Sequence, residues 1–255
     1  DIAFGNLLEN GGTFAGRMID GAQGEGARLS HAAVDGETFG HHRRFGEMAL
    51  AYCLETVEGG GEAELTVYGE FLEKHPPTAA VEIAENTSWS CTHGVERWRS
   101  DCGCRAGDHP EWRQAWRKPL RDSLDRLREE VDRLFEEAGG EYFGDPWEAR
   151  DGYIDSLLGG GRPEGRAEDL LEMERFAMLM YTSCGWFFDD ISRIETVQVL
   201  GYAARAAQLA GAISGRDLLG PFLKSLEEVP GNTEEVPNAR RALEAAFGER
   251  LGIAG

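Results

Sequence analysis

Trp116-Arg117-Lys118-Pro119-Leu120-Arg121-Asp122-Ser123-Leu124-Asp125-Arg126-Leu127-Arg128-Glu129-Glu130-Val131-Asp132-Arg133-Leu134 is the stretch that decides the fold of the C-terminal half. Its apolar residues, Trp116, Leu120, Leu124, Leu127, Val131 and Leu134, recur at steps of four and three. That spacing predicts one long amphipathic helix with its charged residues facing solvent. Working toward the C-terminus, Pro146-Trp147 opens another helix that runs toward Leu157 and Leu158. Residues 159–166 are rich in Gly and Arg and read as a loop. Leu170, Met173, Phe176, Ala177 and Met180 form the next buried stripe. Further helices fill 194–210 and 218–251, with breaks at Gly215, Pro230 and Pro237. Residues 109–255 are therefore expected to form an all-α helical bundle.

Toward the N-terminus the pattern changes. Ser30-His31-Ala32-Ala33-Val34 reads as a strand running into Asp35-Gly36-Glu37. A helix follows, with Phe45, Met48, Ala49, Tyr52 and Val57 near one face and Cys53 on its apolar side. Gly59-Gly60-Gly61 ends it. A short helix over 65–73 stops before His75-Pro76-Pro77, and 79–83 reads as a second strand. Strand, helix, helix, strand predicts an α/β unit over 1–84. Between the two parts, 85–108 shows no periodicity but holds three cysteines, a histidine and two tryptophans. An irregular stretch of this length is usually functional or stapled by a metal.

The balance of 46 acidic against 26 basic residues gives a net charge of −20, and phosphate backbones repel such a surface. Arginines gather between Arg97 and Arg121, yet acids interleave them, so no nucleic-acid partner is expected. No apolar run approaches the roughly 20 residues a membrane span needs. A secretory leader is also lacking, and the cysteine count is odd, at five. Both point to a reducing, cytoplasmic setting in place of a secreted disulfide framework.

Cys91-x-His93 and Cys102-x-Cys104 supply four soft or borderline donors in one loop. Zinc commonly takes three cysteines and a histidine, or four cysteines, in closed tetrahedral sites. Cys184 could replace His93 as the fourth ligand. An iron–sulfur cluster on Cys91, Cys102, Cys104 and Cys184 is chemically allowed. Reduced structural thiols, or a redox-active cysteine pair, are the other readings of the same residues.

Three segments carry a resemblance. His31-Ala32-Ala33-Val34-Asp35-Gly36-Glu37-Thr38-Phe39-Gly40-His41-His42 resembles the part of glycoside hydrolase family 57 that bears its acid/base aspartate. Ser88-Trp89, followed by His93 and Trp98, is similar to a family segment lining the sugar site. Met180-Tyr181-Thr182-Ser183-Cys184-Gly185-Trp186-Phe187-Phe188 resembles the helical-domain motif whose tryptophan caps that site. Residues 85–104 and the helices after them are similar to an uncharacterised domain at the C-terminus of a subset of those enzymes.

The resemblance implies retaining chemistry on α-glucans, hydrolysis or transfer, in the C-terminal part of a distorted β/α barrel followed by a helical domain. It makes Asp35 the general acid/base. His41 or His42, with Trp89, His93, Trp98 and Trp186, would line the sugar subsites. The family motif has an aspartate just before the tryptophan where Cys184-Gly185 stands here, with Asp189 and Asp190 after it. Retaining hydrolysis also needs a second carboxylate about 5–5.5 Å from the first. In the family it lies on an earlier strand, and neither Glu9 nor Glu25 fits that place. The expected reading is a fragment whose upstream barrel half carries the nucleophile, inactive alone. A shortened relative, a non-catalytic carbohydrate-binding or scaffold module, and a metal or redox domain built on the cysteine loop are the alternatives.

Overall fold

The computed structural model describes residues 1–3, 5–26, 28–88, 90–107 and 109–253, and it divides into two units, Asp1–Ile83 and Ala84–Gly255. In the first unit the Asn10 side chain accepts the Thr13 backbone N–H at 2.9 Å, capping α1 (Gly11–Ala22). Such a cap satisfies one of the donors that a helix start leaves free. α1 packs on α2 (Gly46–Gly60) through Phe14, Ala15, Ala49, Cys53 and Val57, and Leu8 closes the cluster. Ala49, Cys53 and Val57 are four apart and lie one above the other. Met48 and Tyr52, expected beside them, are exposed. Cys53 is plain core, and burial pushes its thiol up. The short α3 (Tyr68–Lys74) ends the helical part of this unit.

No strand or sheet occurs among the described residues; the only β-type pairings are isolated bridges, Phe39 with Arg43 and Pro230 with Asn238. The α/β reading of 1–84, as the C-terminal part of a β/α barrel, is therefore overturned: the described chain is helical. Both expected strands, 30–34 and 79–83, are irregular and unpaired. A strand exists only through hydrogen bonds to a neighbour, and neither segment has one. The first is also rich in alanine, which has little preference for a pleated surface. Val81 and Ile83, within the second expected strand, are 87% and 81% exposed.

The second unit begins with the irregular segment that carries the cysteines and continues into α4 (Arg117–Gly139). Trp116, Leu120, Leu124, Leu127, Val131 and Phe135 are all buried, as the four-and-three spacing requires. Asp145 caps α5 (Pro146–Asp151) by accepting the backbone N–H groups of Trp147 and Glu148, with Pro146 in the first turn where no donor is lost. A single turn, α6 (Tyr153–Leu157), leads to α7 (Arg166–Leu179), which buries Leu170, Leu171, Met173 and Ala177.

After the short α8 (Cys184–Phe187) comes α9 (Ile194–Ser214), the centre of the unit. It packs against α4, α7, α8, α10 (Leu219–Leu226) and α11 (Ala239–Leu251). Ala203, Ala204, Ala206, Ala207 and Ala210 are wholly buried along it. Side chains this small let neighbouring axes approach on several sides at once, which is how one helix can serve as the hub for five. No helix among the described residues is long and apolar enough to cross a membrane.

Candidate metal centre

Between the end of the first unit and α4, the backbone is held by side chains and turns in place of a helix or sheet. Thr87 Oγ1 donates to the Ala84 carbonyl at 2.7 Å, and Ser88 Oγ donates to the Gly94 carbonyl at 2.9 Å. The Val95 N–H reaches the Asn86 carbonyl at 3.1 Å. Gly94 sits at φ +69°, and a Cβ there would meet Asn86 O at 1.8 Å, so only glycine permits this turn. Cys91 and His93 precede it and a 3₁₀ turn, Gly94–Trp98, follows. Gly103, at φ +79°, makes the matching reversal between Cys102 and Cys104. Two tight turns thus aim four side chains at one point.

The donor atoms of Cys91, His93, Cys102 and Cys104 all lie within 4.8 Å of one another. Cys91 Sγ is 3.8 Å from Cys102 Sγ and 3.7 Å from Cys104 Sγ. His93 Nδ1 is 3.7 Å from Cys91 Sγ and 3.4 Å from Cys104 Sγ. Zinc bonds of about 2.3 Å to sulfur and about 2.0–2.1 Å to nitrogen, at tetrahedral angles, put sulfur atoms about 3.8 Å apart and sulfur and nitrogen about 3.6 Å apart. The four spacings fall on those tetrahedron edges. They are far longer than the roughly 2.05 Å of a disulfide.

The electrostatics suit anionic sulfur. Burial alone would push the Cys91 thiol up, but hydrogen bonds from the His93 backbone and ring and from Cys104 and Cys102 bring it down to about 7. Cys104 moves the other way, raised first by burial and then by the neighbouring thiols Cys91 and Cys102. Next to them lie two buried guanidinium groups. Arg117 Nη1 donates to Cys102 Sγ at 3.7 Å, and its Nη2 donates to the carbonyls of Phe187 and Phe188 at 3.3 and 3.2 Å. Arg97 Nη1 donates to the Phe187 carbonyl at 3.0 Å. Burial lowers the Arg117 pKa, and the charges of Cys102 and Asp189 oppose that shift.

Asp189 and Asp190 tie the loop to the bundle. The Asp189 carboxylate accepts the backbone N–H groups of Ala106 and Gly107, the latter at 2.8 Å, and its carbonyl accepts Trp116 Nε1 at 3.1 Å. Asp190 accepts from the Ser192 and Asn232 N–H groups and from Asn232 Nδ2. Asn232 in turn reaches Arg113, accepting its N–H at 2.8 Å and donating to its carbonyl at 3.0 Å. Sequence reading noted this acidic pair only as a departure from a motif. Its signal was two adjacent carboxylates after an aromatic run, which carries no partner information.

Of the residues read as functional, the fold gathers Cys91, His93, Cys102 and Cys104. Cys184 is exposed at the start of α8 and is not one of the four donors. Trp186 is wholly buried and stacked on Trp116, with ring centroids 6.0 Å apart, and Trp98 packs against the same core. Trp89 lies outside the described residues. Asp35, His41 and His42 belong to the first unit, where all three are exposed and the two imidazoles lie 5.2 Å apart. A cavity of about 760 Å³ in that unit is lined by 28–34 and 62–68, with α1 and α2 beneath; His31 borders it and Asp35, His41 and His42 do not.

The comparisons give a family and no function. Residues 112–167 and 161–247 match a domain of unknown function, DUF3536. No curated protein and no solved structure matches the chain. The match begins just after the cysteine loop, runs through α4 to α11 and spans more than half of the 255 residues. By that match the chain belongs to the DUF3536 family.

Proposed function

We propose that residues 84–108 form a structural zinc knuckle, in which Cys91, His93 Nδ1, Cys102 and Cys104 hold one Zn²⁺ and staple the two turns of the loop to each other. The observation that carries this is the spacing of the four donors, which matches the edges of a zinc tetrahedron. All four ligands come from the protein, so no position stays open for water or substrate, as a structural site requires. The close approach of the three sulfurs favours one ion over a multi-iron cluster, whose cysteines stand farther apart, and Cys184 is not at hand as a fourth thiolate. The helical unit is on this reading a metal-stapled scaffold. Purified chain is expected to carry about one zinc per molecule by elemental analysis. A folded preparation with no transition metal, and no uptake on adding zinc, removes the proposal.

For the protein as a whole, the resemblance of 31–42 and 180–188 to glycoside hydrolase family 57 supports an α-glucan as the ligand class. Titration calorimetry with maltooligosaccharides tests this. The absence of heat at millimolar concentration counts against it.

A further inference from the structure

Arg117 and Arg97 are 0% and 4% exposed, and neither has a carboxylate within ion-pair distance among the described residues. A buried, unpaired guanidinium is destabilising by several kcal/mol, so such groups are found beside an anion. The nearest anionic candidate is sulfur: Arg117 Nη1 points at Cys102 Sγ. Three thiolates, one neutral imidazole and one Zn²⁺ sum to a charge of −1. A centre of that charge needs a cation as much as the guanidinium needs an anion.

We propose that Arg117 is the built-in countercharge of the metal centre, and that its hydrogen bond to Cys102 makes this thiolate less reactive than that of Cys104. The inference rests on the zinc reading above. Outer-shell donors of this kind orient a ligand and lower its electron density toward the metal. Cys104 is partly buried, as Cys102 is, but among the described residues it has no guanidinium contact, so it is the more open of the two to electrophiles. Arg117 is a positioning residue with two tasks. Its other arm holds the Phe187 and Phe188 carbonyls, just ahead of the Asp189 carboxylate that pins Ala106 and Gly107. Arg117 thus touches the Cys102 arm of the knuckle and the segment that pins its Ala106–Gly107 end.

The test compares the full chain with Arg117→Met and Arg117→Lys. Zinc affinity is read by competition with a chromophoric chelator. The sulfur-to-cobalt charge-transfer band is read after Co²⁺ substitution, and alkylation of Cys102 relative to Cys104 is read by iodoacetamide labelling and mass spectrometry. Arg117→Met should bind zinc about 10–100-fold more weakly. It should also shift the charge-transfer band to longer wavelength and raise the Cys102-to-Cys104 labelling ratio. Arg117→Lys, which keeps the charge but not the fork, should recover part of the affinity and still show a shifted band. If Arg117→Met fails to fold, the Lys variant decides, and an unchanged band and labelling ratio there overturn the inference. Equal affinity in wild type and variants overturns it too while leaving the zinc reading intact. A wild-type chain that takes up neither Zn²⁺ nor Co²⁺ overturns both.

Discussion

A Cys91→Ser chain is expected to lose its zinc and, with it, the order of residues 84–108. Cys91 is the buried member of the four donors and touches all three of the others. Serine fills nearly the same volume, so packing alone changes little, and the effect isolates the ligand. The loop has few resources of its own: between 84 and 108 only Cys91 and Arg97 are buried among the described residues. A cross-link joining positions 91 and 104 removes loop entropy worth about 3 kcal/mol, on the scale known for a disulfide closing a similar ring. Mass action gives a similar figure, since zinc at about a thousand times its Kd adds about 4 kcal/mol. Urea denaturation followed by tryptophan fluorescence should show wild type losing about that much when a chelator is added. Cys91→Ser should begin at the destabilised midpoint and ignore the chelator. Cys53→Ser, at a thiol buried in the apolar core of the other unit, should respond to the chelator as wild type does, whatever the buried hydroxyl costs in stability. A wild type indifferent to chelation removes the stabilising role, and a Cys91→Ser chain that still responds to the chelator removes Cys91 from the ligand set.

Glu174→Gln is expected to stabilise the protein above neutral pH. Glu174, on α7, is 2% exposed, and its Oε1 has no hydrogen-bond partner. Burial is the first cause that pushes its carboxyl up to about 7; the negative charges of Asp132 and Glu136 on α4 add to the shift, and Arg150 on α5 opposes it. Asp132 is itself raised by burial, so the groups facing Glu174 are a poor place for another anion. The folded chain thus holds the Glu174 proton more tightly than the unfolded chain, whose value is near 4.5. Stability from this group is complete below pH 4.5 and is lost as pH rises through about 7. The difference of roughly 2.5 units corresponds to a loss on the order of 3 kcal/mol by pH 8. An amide of the same shape carries no such charge. Urea midpoints at saturating zinc, taken from pH 5 to 8, should converge at the acid end and diverge by about 2–3 kcal/mol at the alkaline end, with Glu174→Gln the more stable. Parallel profiles would mean that the buried carboxyl is satisfied by a contact absent from this structure.

Much of the helical unit was legible in the residues. The stripe from Trp116 to Val131 lies buried as its spacing requires, and α7 buries Leu170, Met173 and Ala177 from the stripe read there. Two details were off by a rotation: Phe135 takes the last core place in α4 while Leu134 is half-buried, and α2 keeps Cys53 inward as read but turns Met48 and Tyr52 outward. A helix of 3.6 residues per turn lets neighbouring stripes compete, and the partner helix chooses between them. The strands were misread because extended, apolar-flanked segments look alike whether or not a neighbour exists to pair with them.

The chain on its own determined where helices form and which residue types could grip a metal. Helical hydrogen bonds run between residues four apart, and donor chemistry belongs to single side chains, so both are written locally. Tertiary structure alone decided that His93 joins the three cysteines while Cys184 stays outside, and that Trp186 serves as core. It also set two buried arginines behind the sulfurs and left 30–34 and 79–83 unpaired. These outcomes depend on contacts between positions tens of residues apart, such as Arg117 with Phe187 or Asp189 with Gly107, and no local pattern encodes a distance of that kind.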